Sequence, residues 1–250
     1  MELIILGTSA GYANKNDGCS SYLLKYKDKH YLIDVGPGAV SYLQNFINYT
    51  QIESIFLSHL HADHVSDLYT LRYAVYYAQG LNMMKKPLEI YMPATPVETV
   101  NFIKSNVEEE FSINWIKDGD QINIDGMIIS FLKVNHPVET YAIRFDSDDG
   151  SFVYTSDTSY FDKLVQFSQN ANLILAEATL MESDKDKESF GHMTSKSAAK
   201  LAKEASAGRL ILTHIWPEND KLTQLQEAES IFKDVTIAER GEKHIIDRIK

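Results

Sequence analysis

The run His59-Leu60-His61-Ala62-Asp63-His64 constrains this chain more than any other feature of it. Its His and Asp side chains, all able to hold a cation, stand at the end of the apolar stretch Ile55-Phe56-Leu57, one residue beyond it. Chance places an H-x-H-x-D-H in a chain of this composition about one time in a thousand. The bland alternative is a polar turn after a strand, with solvated histidines. The donor types argue otherwise, because imidazole nitrogen and carboxylate oxygen are the ligands that suit zinc and its neighbours. A fold that uses them must hold the turn after this strand rigidly.

Other chemistry-bearing residues have a similar setting. His136 follows the strand-like stretch 128–134, Asp157 follows 152–155, and His214 follows 210–213. His192 lies between a strand and a capped helix. Strand ends and the loops after them are where rigid scaffolds display catalytic groups. His30 and His244 fall inside or beside strands without that context and read as structural or surface residues. The single cysteine, Cys19, excludes an intramolecular disulfide framework and a cysteine-based zinc site, and makes a reducing, cytoplasmic setting the expectation.

With 250 residues the chain can bury a large core without staples, and 44% hydrophobic with 24% charged residues gives no case for disorder. A single domain over 1–250 is expected. Short, β-branched stretches predict strands over 3–6, 21–26, 30–34, 54–58, 88–92, 113–116, 127–134, 141–145, 151–155, 173–177, 209–213 and 236–238. Asp28-Lys29, Asp125-Gly126 and Asp149-Gly150 read as hairpin turns. Helical periodicity predicts helices over 39–49, 64–80, 96–107, 194–207 and 220–232. The fourth is capped by Thr194 or Ser195 and closed by Gly208, and the fifth is capped by Asp220 or Thr223. Strands interleaved with helices suggest an α/β protein of two packed sheets with helices outside. The charged stretch 182–190 reads as a mobile, solvated connector. The N-terminus lacks a basic leader and reads as a first strand, so no export signal is expected. No run reaches the roughly 20 apolar residues of a membrane span.

On these residues the chain resembles the metallo-β-lactamase superfamily, whose pattern is H-x-H-x-D-H, a later His, a bridging Asp and a final His. The resemblance spans essentially the whole chain. It implies a four-layer αβ/βα sandwich with a dinuclear metal site. One metal would take His59, His61 and His136; the other would take Asp63, His64 and His214; Asp157 would bridge them. Two Zn²⁺ ions are the implied cofactors, and Mn²⁺ or Fe²⁺ accept the same donors. The ribonuclease Z and phosphodiesterase branch is the closer likeness. Leu6-Gly7-Thr8-Ser9-Ala10-Gly11 resembles its opening motif, and Leu32-Ile33-Asp34-Val35-Gly36-Pro37-Gly38 its second, whose Asp34 would orient a metal-bound histidine. Leu175-Ala176-Glu177-Ala178-Thr179 resembles H-E-A-T with Ala176 in place of the His, and Gly191-His192-Met193-Thr194-Ser195 resembles G-H-S-T. The implied catalytic residues are Asp63, His192 as proton donor or phosphate ligand, and Glu177 as its support. The bland readings are a helix-start packing role for His192 and a structural ion pair for Glu177. Independently of the likeness, His192 precedes a helix N-terminus, where an anion is favoured and an imidazole can protonate a leaving alkoxide. The likeness also implies a homodimer.

The substrate expectation follows from charge and length. A net charge of −11 and a pI of about 5.2 suit a long polyanion poorly. The 20 residues between His136 and Asp157 have room for two strands and a turn, where ribonuclease Z carries a long arm that clamps tRNA. The expected function is therefore a metal-dependent phosphodiesterase acting on a small phosphodiester, a cyclic nucleotide or an RNA end. Alternatives are a thioesterase or lactonase of the same superfamily, a tRNA 3′-processing endoribonuclease, and a non-catalytic nucleic-acid-binding or scaffold protein. Two stripes at helical spacing stay open at this point. Lys196, Lys200 and Lys203 could track a phosphate backbone or form a solvated face. For Tyr69, Tyr73 and Tyr76 the default is core packing, against base stacking or a dimer seam.

Overall fold

In a computed structural model, residues 1–107 and 110–248 are described. They form two compact units, one built from residues 2–116 and 239–244, the other from Met1, 117–238 and the C-terminal residues from Ile245.

The first unit carries β1 (Glu2–Gly7), β2 (Ser21–Tyr26), β3 (Lys29–Ile33), α1 (Ala39–Leu43), β4 (Ile52–Phe56), α2 (Ala62–Val65), α3 (Leu68–Gly80), β5 (Leu88–Met92), α4 (Val97–Val107) and β6 (Phe111–Trp115). β1 to β3 pair antiparallel, and β3 to β6 pair parallel. β1, β2 and β4 bury nearly every side chain, which is why they read as largely apolar runs. Ile4, Leu23, Leu32 and Ile55 share a core with Leu68, Leu71 and Val75 of α3. The spacing of those α3 residues is the apolar stripe of an amphipathic helix.

The predicted helix over 64–80 is broken, and the break has a local cause. The His64 carbonyl accepts the N–H of Val35 at 2.7 Å, and the Asp67 N–H donates to the Val35 carbonyl at 3.0 Å. Both groups are drawn off the helical ladder, so α2 and α3 separate at Ser66 and Asp67. The helix predicted over 39–49 ends at Leu43. Asn48 then starts a 3-10 turn, its side chain accepting the Thr50 N–H while Gln51 accepts the Asn48 N–H. Core packing of the tyrosine stripe fails: Tyr73 and Tyr76 are 59% and 55% exposed, because the buried face of α3 belongs to Leu68, Leu71, Val75 and Ala78. Tyr69 is half-buried against Phe102, with centroids 5.0 Å apart.

The second unit carries β7 (Gln121–Ile124), β8 (Met127–Lys133), β9 (Tyr141–Asp146), β10 (Ser151–Tyr154), α5 (Asp162–Phe167), β11 (Leu173–Glu177), α6 (Ser195–Glu204), β12 (Arg209–Thr213), α7 (Lys221–Glu229) and β13 (Val235–Ile237). β7 to β10 pair antiparallel, and β10 to β13 parallel. β8 and β10 are both antiparallel to β9, so β8, β10, β11 and β12 all run in one direction. Their C-terminal ends meet one edge of the sheet. α6 covers one face, its Ala198, Leu201 and Ala202 in the same core as Ile174, Leu210 and Leu212. Thr194 caps α6 by accepting the Ser197 N–H, and Asp220 caps α7. The interval 137–156 is filled by the β9–β10 hairpin, as predicted.

Several local expectations need correction. β7, α5 and the last strand, β14 (Lys243–Ile245), lie outside the predicted stretches. β14 and β7 are short and carry no apolar run, and β14 pairs beside β1 in the first sheet. The β2–β3 turn sits on Lys27 and Asp28, one residue before the predicted pair. The stretch 182–190 is largely exposed but folded into 3-10 turns. Glu182 and Glu188 in it accept the hydroxyl and the N–H of Thr194, tying it to the start of α6. Among the described residues no helix is long and apolar enough to cross a membrane.

Candidate metal centre

In the first unit, parallel strands β3 and β4 end side by side. Asp34 follows β3 in a left-handed conformation (φ 53°) and is fully buried. Its Oδ1 accepts the Ser58 N–H at 2.7 Å. Its Oδ2 accepts the Ser58 hydroxyl at 2.8 Å and lies 2.8 Å from His64 Nδ1. With the carboxylate as acceptor, His64 carries its proton on Nδ1 and its Nε2 faces away from Asp34 without a hydrogen. That Nε2 is 3.6 Å from Asp63 Oδ2, which also accepts the Gly11 N–H at 2.8 Å. Fully buried His59 has Nδ1 3.1 Å from the Ser58 hydroxyl, and its Nε2 is 3.1 Å from His61 Nδ1. Two nitrogens bound to one tetrahedral zinc at ~2.05 Å stand roughly 3.3 Å apart. The donor set therefore fits a cation. Gly36 is obligatory here: a Cβ would come within 2.2 Å of the Asp63 carbonyl.

In the second unit, His136, Asp157, Glu177 and His214 all stand at or just past the C-terminal ends of β8, β10, β11 and β12. Parallel-sheet edges of this kind are where ligands bind in α/β proteins. Ser156 and His214 take positive φ (54° and 51°), turning the chain sharply after β10 and β12. His136 Nδ1 lies 2.9 Å from the Gly191 carbonyl, so it donates there, leaving Nε2 toward Asp157 Oδ2 at 3.9 Å. Burial holds the His136 imidazole below its ordinary pKa against the opposing pull of Asp157, which favours the neutral, ligating form. His214 Nε2 is 3.4 Å from the same Asp157 oxygen. Ligand atoms of Asp157, His192 and His214 lie within 4.8 Å of one another.

Glu177 is fully buried and organises this edge. Its Oε1 accepts the N–H groups of Thr158 (3.0 Å) and Met193 (3.1 Å) and lies 2.9 Å from His192 Nδ1. Its Oε2 accepts both the N–H and the hydroxyl of Thr179 at 2.9 Å. The Thr179 oxygen is 2.8 Å from His214 Nδ1 and 3.3 Å from His192 Nδ1. The His192 ring stacks near-parallel on His214 and edge-on to His136, and its side chain keeps 23% of its surface exposed. Ala176, which departs from the H-E-A-T pattern, is buried in the apolar core behind β11. Strand alternation puts its side chain on the face opposite Glu177, so the departure falls away from this edge.

Ser58 and Thr179 were not among the residues singled out from the sequence. Each lies inside or beside a quoted motif, and a hydroxyl one or two residues from a histidine or carboxylate gives no periodic signal. A cleft of about 280 Å³ opens beside His136, lined by Asn135, Pro137, Ser159 and Phe190, the last 68% exposed. The remaining candidates stand elsewhere. His30 sits half-buried on β3, its pKa lowered by burial and by Lys25, and His244 lies 3.4 Å from Glu242. Lys200 rests 4.2 Å over the Tyr160 ring and 3.9 Å from Glu204. Its charge is engaged within the unit, as on a solvated face.

The chain matches the family model described as "Beta-lactamase superfamily domain" over residues 29–215. It is 32% identical over 244 residues to the probable metallo-hydrolase YhfI of Bacillus subtilis, covering 96% of this chain and 98% of that protein. The crystal structure of YhfI superposes with a TM-score of 0.89 at 31% identity, covering 97% and 98% of the two chains. Ribonuclease Z of Archaeoglobus fulgidus is 24% identical over 295 aligned residues, with 95% of each chain covered. The short form of human tRNase Z shares the fold, with a TM-score of 0.80 at 24% identity over 98% and 99% of the two chains.

Proposed function

The chain belongs to the beta-lactamase superfamily, has that family's α/β fold and is a metallo-hydrolase by that membership; from this premise we propose that it is a phosphodiesterase acting on a small phosphodiester such as a cyclic nucleotide or an RNA end. His59, His61 and His136 would hold one cation, Asp63, His64 and His214 the other, and Asp157 would serve both. When bound, two divalent ions, Zn²⁺ by the chemistry of these donors, supply a water of near-neutral pKa and positive charge against the phosphoryl oxygens.

The observation that carries the reading is His192 on Glu177. Its Nδ1 is held by a fully buried carboxylate at 2.9 Å, its ring packs on His136 and His214, and part of it remains open to solvent. It is an imidazole beyond the proposed ligand set, oriented and accessible. Its role is to deliver, from the ring protonated on both nitrogens, the Nε2 proton to the departing oxygen, while Glu177 accepts Nδ1–H and steadies the ring. Such a donor matters when the leaving group is an alkoxide, a very strong base. A thioesterase releases a thiolate, whose conjugate acid has a pKa of ~8.5 and which needs little help. Small size of substrate is supported by the short β9–β10 hairpin in the interval 137–156, by the net charge of −11 and by the cleft of about 280 Å³ beside His136.

The test compares leaving groups. With 2′,3′-cyclic nucleotides, whose leaving group is an alkoxide, His192→Ala should lower kcat by ~10²–10⁴ with metal content unchanged. With bis(p-nitrophenyl) phosphate, whose leaving phenolate is a weak base, the loss should be far smaller. Turnover of a thioester or lactone that exceeds phosphodiester turnover and ignores His192 would move the assignment to acyl transfer.

A further inference from the structure

Two hydroxyls outside the proposed ligand set occupy equivalent positions in the two units. In one, the fully buried Asp34 accepts the Ser58 hydroxyl at 2.8 Å, and the same oxygen stands 3.1 Å from His59 Nδ1. In the other, the fully buried Glu177 accepts the Thr179 hydroxyl at 2.9 Å, and that oxygen stands 2.8 Å from His214 Nδ1. We propose that Ser58 and Thr179 are positioning residues. Each passes the demand of a buried carboxylate on to a second histidine, fixing that imidazole in the Nδ1–H tautomer with Nε2 bare.

Hydrogen-bond capacity decides the tautomer. A hydroxyl has one proton to give and two lone pairs to receive with. A carboxylate is the stronger acceptor, since a bond to an ionised oxygen is about twice as strong as a neutral one. The hydroxyl proton is therefore committed to Asp34 or Glu177. For Thr179 the competing acceptor is the His214 carbonyl at 3.1 Å, neutral and more distant than the carboxylate. With its proton spent, the hydroxyl faces the imidazole as an acceptor, and Nδ1 must carry the hydrogen. The lone pair then sits on Nε2, which in His59 lies 3.1 Å from His61 Nδ1 and in His214 lies 3.4 Å from Asp157 Oδ2. Each carboxylate thus governs two histidines, one directly (His64 or His192) and one through a hydroxyl (His59 or His214). Without the hydroxyl, the Nε2–H tautomer of a neutral imidazole becomes available, and its Nε2 cannot ligate.

The inference rests on the ligand part of the reading above and is independent of the substrate. The first readout is the tautomer itself, from long-range ¹H–¹⁵N spectra of the imidazoles in the full-length metal-free protein. His59 and His214 should show the Nδ1–H pattern in the wild type and, for His214, in Thr179→Ser. Thr179→Val, which keeps the shape and removes the hydroxyl, should give a mixed His214 pattern. The second readout is Zn²⁺ affinity by chelator competition. Thr179→Val and Ser58→Ala should each weaken binding ~10–100-fold, and Thr179→Ser should restore it. Circular dichroism establishes that each variant is folded. A His214 that stays Nδ1–H in Thr179→Val, with wild-type Zn²⁺ affinity, overturns the proposal for Thr179. Wild-type affinity in Ser58→Ala overturns it for Ser58. A protein that binds Zn²⁺ with this dependence yet hydrolyses no phosphodiester would sink the proposed activity and leave the relays standing.

Discussion

The two units offer their metal-capable residues in opposite ways. In the first, His59, His61, Asp63 and His64 come from one contiguous turn after β4, and a single neighbouring strand end supplies Asp34 to brace it. In the second, His136, Asp157, Glu177 and His214 come one each from the ends of β8, β10, β11 and β12, with His192 added just before α6. Yet both reach the same local solution, a fully buried carboxylate holding one histidine directly and one through a hydroxyl. A contiguous motif takes its geometry from one short piece of backbone. A dispersed one takes it from sheet register, here the parallel pairing that sets Glu177 opposite Thr213.

The sharpest way to break that comparison is to remove the one residue proposed to serve both cations. Asp157→Ala should strip at least one equivalent of metal, measured by atomic absorption, and abolish nearly all turnover. Retained metal and rate would sink its bridging role. Next come the bracing carboxylates, whose conservative variants should part company. Asp34→Asn disturbs His64 and, through Ser58, His59, both proposed ligands, so Zn²⁺ affinity should fall ~10–100-fold. Glu177→Gln disturbs His214 through Thr179 and His192 directly. It should cost less in affinity but lower kcat on an alkoxide-leaving substrate ~10²-fold or more. Equal losses of affinity in the two variants would show that the division of labour is wrong.

The same contrast explains what the sequence made legible. The H-x-H-x-D-H run announces itself, because a contiguous cluster of donors is improbable by chance. The dispersed residues were readable as strand-end residues but found their roles only through resemblance to a family, since spacing alone does not say which strand ends share an edge. The antiparallel step through β9, which turns β8 into the same direction as β10, is a fact of pairing. The helix break at Ser66 and Asp67 was illegible for a related reason. The groups that interrupt it, the N–H and carbonyl of Val35, lie some thirty positions away and act through backbone, which leaves no mark on side-chain periodicity. Tyr73 and Tyr76 show the converse failure, aromatic residues at helical spacing that sit on the exposed face.

Close backbone approach is another point on which the units can be told apart. At Gly36 a Cβ would meet the Asp63 carbonyl at 2.2 Å, with backbone on one side and Cys19 on the other. At Gly191 (φ 94°) it would meet Pro137 and His136 at 2.9–3.0 Å. Gly36→Ala should therefore destabilise the protein more than Gly191→Ala, each by more than ~1 kcal/mol in a denaturant titration. Gly191→Ala should also shift the His136 ring, whose Nδ1 bonds the Gly191 carbonyl. A reversed order would mean that the contiguous turn yields more easily than the dispersed edge. Phe190→Ala is milder: it should raise KM for a nucleotide several-fold with kcat and Tm unchanged, if the exposed ring contacts the base.

The smallest expected effect is none, and it tests how closely the first unit is packed around its turn. Cys19 is fully buried beside Gly36. Burial, and after it the negative charge of Asp63, pushes its thiol up to about 12. The thiolate is the species that attacks a disulfide reagent, so at pH 8 only ~10⁻⁴ of the thiol is reactive even before access is considered. Folded protein mixed with a chromogenic aryl disulfide at pH 8 should release no colour over an hour and keep its full activity, whereas denatured protein should release one equivalent at once. Rapid reaction of the native protein would mean that the turn carrying His59 to His64 opens on that timescale. The contiguous motif would then owe its geometry to bound metal, and not to the packing of β1, β2 and Gly36 around it.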